Sequence, residues 1–153
     1  MKNMKKSIIV TGACGFIGYN VAQFFSDAGY PLVLADRTRR DNLLETLRYT
    51  TYVAAEELLT GEHITEGTVV VHMGASVNTG DTDRAAVMRN NFEYSKQLFA
   101  VCVRKCARLI YASSAATYGD GSKGFNDAER DLTPLNYYAE SKHLFDEYVR
   151  YAV

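Results

Sequence analysis

No apolar run in this chain approaches the roughly 20 residues needed to cross a bilayer, which argues against a membrane span. The start, MKNMKK, carries the charge of a secretion leader. Only Ile8, Ile9 and Val10 follow before Thr11 and Gly12 turn the chain, which is too short for a signal core. Charge of either sign is not in surplus: 17 basic against 18 acidic residues leave a net −1, without the basic excess of a nucleic-acid-binding protein. Cysteine is scarce, with three residues at no framework spacing, which argues against disulfides and fits a cytoplasmic protein. Cys102 and Cys106 stand four apart on an expected helix with no companion ligands nearby. They read as small core residues, and no metal site is expected. Repeats, linkers and low-complexity stretches are absent too.

What remains is an ordinary globular composition, 47% hydrophobic and 23% charged over 153 residues, enough for one domain but not for two. The domain is expected to occupy residues 1–153. Strand and helix patterns alternate along it. Ser7–Val10 reads as a strand, Phe16–Ala28 as a helix ended by Gly29, and Leu32–Ala35 as a second strand closing on Asp36. Residues 37–67 suggest two short helical pieces around a weak strand near Tyr49–Val53. Thr68–His72 is a buried strand, Asp83–Lys105 a long helix, and Arg108–Ser113 a fifth strand. A polar loop follows from Tyr118 to about residue 131, and Pro134 precedes a last helix. Strands alternating with helices imply right-handed crossovers and a doubly wound α/β parallel sheet of Rossmann type. Five strands in the order 3-2-1-4-5 fit the length.

Three segments carry chemistry. Thr11-Gly12-Ala13-Cys14-Gly15-Phe16-Ile17-Gly18 joins the first strand to the first helix, with glycines three apart. Gly12 suits a tight turn, Gly15 lets the backbone approach a pyrophosphate, and Gly18 lets helix pack on strand. Asp36, eighteen residues past Gly18, can accept from the ribose hydroxyls of NAD. Arg37, with Arg39 and Arg40 beyond, can bind the 2′-phosphate of NADP. The two signals conflict, and the reading leans to NADP with NAD open.

At the other end, Tyr138 and Lys142 stand four residues apart and share a helical face. A free tyrosine has a pKa of about 10, and a neighbouring ammonium favours the phenolate, making the pair a candidate acid/base. Ser113-Ser114 ends the fifth strand, where a hydroxyl can hydrogen-bond a substrate oxygen and the Tyr138 phenol. Gly74 and Ala75 follow the fourth strand and leave room for a dinucleotide. His72 reads as structural, His143 as a surface residue, His63 as a loop residue, and Tyr137 as packing.

Read together, TGACGFIG, HMGA, SSAATYG and Tyr138-Ala139-Glu140-Ser141-Lys142 resemble the extended short-chain dehydrogenase/reductase family of nucleotide-sugar enzymes, over nearly the whole chain. Residues 90–96, 111–119 and 144–150 are more narrowly similar to the ADP-heptose 6-epimerases of that family, which serve lipopolysaccharide inner-core synthesis. The resemblance implies an isomerase that oxidises C6 of an ADP-heptose with NADP⁺ and returns hydride to the opposite face. It assigns Tyr138, Lys142 and Ser114 to catalysis. Gly12, Gly15, Phe16, Ile17, Gly18, Asp36, Arg37, Gly74, Ala75 and Asn91 fall to the cofactor, together with Tyr138 and Lys142.

Two departures stand out. Tyr52-Val53-Ala54-Ala55 lacks the acidic residue that the family places near the end of strand three. The family's C-terminal half, with its last strands, sugar pocket and second acid/base, has no counterpart here, so the chain alone is expected not to be a competent epimerase. Strand five is then expected to expose apolar surface, and self-association to be a property of a longer protein. Two other readings compete: a different sugar epimerase or dehydratase of the family, and a non-catalytic dinucleotide module sensing redox state. Ala115-Ala116 counts against dehydration, and an intact Ser114, Tyr138 and Lys142 against a pure sensor.

Overall fold

The structure, a computed structural model, describes residues 5–80 and 82–152. The chain divides into two compact units. The first is Met1–Gly74 with Gln97–Ala112, and the second is Ala75–Lys96 with Ser113–Val153.

The first unit holds the sheet. Strands β1 (Ile8–Thr11), β2 (Leu32–Asp36), β3 (Thr51–Ala54), β4 (Val69–His72) and β5 (Arg108–Tyr111) are all parallel, in the order β3-β2-β1-β4-β5. This is the expected order. The parallel pairing suits β1, β2 and β4, whose β-branched and leucine runs are almost wholly buried, as strands covered on two sides require. Helix α1 (Phe16–Asp27) links β1 to β2, and α4 (Tyr94–Arg104) leads into β5. The two crossovers run in opposite directions, so right-handedness sends these helices to opposite faces. On the α1 face, Gly18, Ala22 and Ser26 are buried at helical spacing over Ile8, Val10, Leu32 and Leu34.

Cover on that face fades along one register row. Leu34, Val10 and Val71 are 0%, 0% and 6% exposed, and Ile110 of β5 is 49% exposed. Ile17 and Phe24 of α1 are 60% and 66% exposed. The uncovered apolar side of strand five is therefore present, as expected.

Between β2 and β4 lie a one-turn helix α2 (Asp41–Leu44), β3, and a 3-10 stretch Ala55–Thr60, close to the reading of that segment as two helical pieces around a strand. The Glu57 carboxylate reaches back to accept from the Ala54 N–H. Cys102 is buried, and burial pushes its thiol up to about 11. Cys106 departs from expectation: it is exposed with φ +52°, just past the end of α4, and is not a core residue.

The second unit contains α3 (Arg84–Val87), a π-helical turn Met88–Glu93, a 3-10 turn Ala115–Tyr118 and α5 (Tyr137–Ala152). The single helix expected over 83–105 is thus interrupted. An Asn136 side chain caps α5 by accepting from the Ala139 N–H at 2.9 Å. A bidentate Arg84–Glu140 pair ties α3 to α5. Among the described residues no helix is long and apolar enough to cross a membrane.

Candidate functional site

In the first unit the glycine loop is shaped by contacts that tolerate no side chain. Gly12 has φ +66°, and a Cβ there would lie 2.7 Å from the Gly74 nitrogen. At Gly18 a Cβ would come within 2.0 Å of the Gly12 carbonyl oxygen, so the start of α1 sits directly on that peptide. The Gly15 N–H donates to the same carbonyl at 2.9 Å. Gly15 itself is exposed, leaving its backbone approachable. Among the described residues no side chain caps α1, and its first turn carries no acidic residue, so the helix presents its N–H groups and positive dipole end without a built-in anion. Phe16 and Ile17 are exposed at this mouth.

Asp36 ends β2 with both carboxylate oxygens engaged. One accepts from the Cys14 N–H at 2.8 Å and the other from the Arg37 N–H at 2.7 Å. The acidic side chain is therefore fixed against the loop. Arg37 extends to Glu56 at 3.2 Å, while Arg39 pairs with Asp41 and covers the Tyr52 ring. The Tyr52 hydroxyl donates to the Asp36 carbonyl. Burial pushes that phenol up to about 12.

In the second unit Tyr138 and Lys142 lie on one face of α5, with the Lys142 ammonium 5.9 Å from the centre of the Tyr138 ring. Lys142 is 6% exposed. Burial lowers its pKa, and the Asp146 carboxylate one turn along partly opposes that. Ser114 caps its own turn, accepting from the Ala116 N–H at 3.2 Å. Among the described residues no hydrogen bond joins it to Tyr138. The neighbouring Ser113 instead donates to Asp146. Tyr137 is 39% exposed and is not the packing residue the sequence suggested. His143 is half-buried rather than a surface residue, with an Nδ1 that finds no hydrogen-bond partner among the described residues.

Asn91 is firmly anchored within this unit. It is 2% exposed. Its amide accepts from the Ser76 N–H at 2.7 Å and donates to the Ser76 carbonyl and the Ser141 hydroxyl at 3.0 and 3.1 Å. Ser141 in turn donates to the Tyr138 carbonyl at 2.6 Å. Asn91 thereby connects the segment after Ala75, which is half-buried, to the helix carrying Tyr138 and Lys142. Sequence reasoning found Asn91 but missed Ser76, Ser141, Ser113 and Asp146. Ser141 was legible only as the immediate neighbour of Lys142, and Asp146 only as the position one turn beyond it on α5.

Residues 8–153 match the NAD dependent epimerase/dehydratase family. The chain belongs to it. Among solved structures of like fold, ADP-L-glycero-D-manno-heptose-6-epimerase of Helicobacter pylori is 26% identical, with a TM-score of 0.83. That alignment covers 97% of this chain and 51% of the other. The UDP-Glc/GlcNAc 4-epimerase of Campylobacter jejuni is 21% identical, with a TM-score of 0.79 over 96% of this chain and 49% of that one. UDP-glucuronic acid 4-epimerase of Bacillus cereus, solved with NAD and a fluorinated UDP-sugar, is 23% identical, with a TM-score of 0.76 over 95% and 51%. This epimerase/dehydratase-family chain therefore spans about half the length of the structures it matches.

Proposed function

We propose that this chain is the dinucleotide-binding domain, with one catalytic arm, of a cytoplasmic nucleotide-sugar epimerase. The substrate favoured is an ADP-heptose inverted at C6, in keeping with the lipopolysaccharide role of the enzymes it resembles. The observation that carries the reading is the Tyr138–Lys142 pair on one face of α5 with its lysine buried, in a chain of the epimerase/dehydratase family.

The residues fit a nicotinamide dinucleotide: an uncapped α1, the approachable backbone at Gly15 and a carboxylate at the end of β2. Gly12, Gly15, Phe16, Ile17 and Gly18 would hold its pyrophosphate, Asp36 and Arg37 its adenosine end, and Gly74, Ala75 and Asn91 would flank it. When bound, that group supplies reversible hydride chemistry. Tyr138 takes the proton from the sugar hydroxyl as it becomes a carbonyl and gives it back afterwards. Lys142 favours the phenolate form of Tyr138 by its charge and holds the nicotinamide ribose. Ser114 hydrogen-bonds the reacting oxygen once it rotates out of its own turn. The second acid/base and the sugar pocket lie in the half of the enzyme that this chain does not span.

The preference for NADP rests on Arg37, which Glu56 engages at 3.2 Å. Removing that competitor with Glu56→Ala is expected to tighten NADP⁺ binding relative to NAD⁺. A thermal-shift titration of the purified chain with both nucleotides tests the cofactor half of the reading, and stabilisation by neither would sink it. Adding the remaining half of the enzyme and assaying ADP-heptose against UDP-sugars tests the substrate. Turnover of the UDP-sugars alone would replace the heptose assignment with a 4-epimerase.

A further inference from the structure

The sequence offers no role for His72 beyond structure, yet its surroundings point past simple packing. The residue ends β4 and is 1% exposed. Burying an imidazole there is unfavourable unless its nitrogens are matched. His72 Nδ1 lies 2.6 Å from the Thr11 hydroxyl oxygen, itself 1% exposed at the end of β1. The same hydroxyl oxygen accepts from the Gly74 N–H at 3.1 Å, and the Thr11 carbonyl accepts from the Met73 N–H at 3.2 Å.

A threonine hydroxyl has one proton to give and two lone pairs. With one lone pair taken by Gly74, donation of the Thr11 proton to His72 Nδ1 leaves no group of this trio unmatched. The imidazole is then neutral and carries its proton on Nε2. Through Thr11, His72 thus acts on the peptide at Gly74. That peptide is the wall against which Gly12 turns, since a Cβ on Gly12 would meet it at 2.7 Å. Gly12 in turn carries the start of α1 on its carbonyl.

We propose that His72 is a positioning residue: through the Thr11 hydroxyl it holds the Gly74 amide against Gly12 and so sets the spacing of the glycine loop. The consequence for ligand binding rests on the reading of that loop as a dinucleotide site. The hydrogen-bond arrangement itself does not.

The test uses the full chain in three arms. Imidazole nitrogen shifts in the ligand-free protein should report the Nε2–H form of His72, and an Nδ1–H form would overturn the proposal. Hydrogen exchange at the Gly74 amide should accelerate about tenfold in His72→Leu and return most of the way in His72→Asn, whose side-chain oxygen can replace Nδ1 as acceptor. Equal protection in all three proteins, or no rescue by asparagine at unchanged fold, would overturn it. NADP⁺ and NAD⁺ affinity by calorimetry should fall about tenfold in His72→Leu and recover in His72→Asn. If the parent chain binds neither nucleotide, the cofactor reading fails, and the exchange and tautomer arms still decide whether His72 holds Gly74. Should His72→Leu not fold, the parent's tautomer and the exchange of Gly74 in Thr11→Ser against Thr11→Val carry the decision. Protection kept by serine and lost by valine is the expected result, and equal protection in both overturns the proposal.

Discussion

The strand end after β1 and the strand end after β5 are organised in opposite ways. After β1, position is enforced by backbone against backbone: Gly12 against Gly74, Gly18 against the Gly12 carbonyl, and the Cys14 N–H held by Asp36. After β5, in the other unit, position depends on side-chain hydroxyls in exposed or half-exposed places. Ser113 reaches Asp146, and Ser114 folds onto its own turn. The first arrangement is finished before any ligand arrives. The second needs a rotamer change, which costs little and is quickly made. On the proposed reading, a loop that binds a dinucleotide has no slack, whereas a hydroxyl that handles a proton has to move.

That contrast can be broken by substitution. Gly18→Ala is expected to have the largest effect, at least about 3 kcal/mol of unfolding free energy in urea, because backbone rather than a flexible side chain meets the new methyl. A loss below about 1 kcal/mol would show that the loop yields more than its geometry suggests. Asn91→Ala should lose about 2–3 kcal/mol, since it strands the half-buried Ser76 backbone and the buried Ser141 hydroxyl. Full stability in that variant would remove Asn91 from the frame of the second unit.

Lys142→Met sharpens the comparison through pH. Burial lowers the lysine's pKa in the folded chain, so the unfolded chain binds that proton more tightly. The penalty of a buried ammonium is fully present below the folded value and is relieved as pH rises toward the ordinary 10.5. The parent should therefore gain on the methionine variant as pH rises from the lowered folded value toward the ordinary 10.5; a constant difference between their denaturation curves would contradict the assignment. Ser113→Ala should have the smallest effect, below about 0.5 kcal/mol, because the group it frees is in contact with water.

The strands and the glycine loop were legible because each is set locally, by apolar runs and by residues that only glycine can replace, and the strand order because right-handed crossovers constrain it. The π-helical turn at Met88–Glu93 was not. Its residues include neither glycine nor proline to signal a break, and the extra residue is accommodated where Asn91 binds Ser76 and Ser141, far along the chain. The exposure of Cys106 likewise follows from a left-handed backbone at the end of α4, which a four-residue spacing to Cys102 does not reveal. In the candidate site, sequence placed Tyr138 and Lys142 on one face of a helix. It gave no hint that Ser113, not Ser114, contacts α5, because that choice rests on which hydroxyl the strand end turns toward Asp146.

The half-exposed Ile110 at the end of the row from Leu34, together with Ile17 and Phe24, also has a calorimetric consequence. These side chains are already hydrated in the folded state, so melting the chain hydrates less new hydrocarbon than melting a fully covered sheet. The heat-capacity increment on unfolding should then fall below the usual value of about 12–15 cal/mol/K per residue. A smaller increment flattens the dependence of stability on temperature, so this chain should lose stability more gradually on cooling than its size suggests.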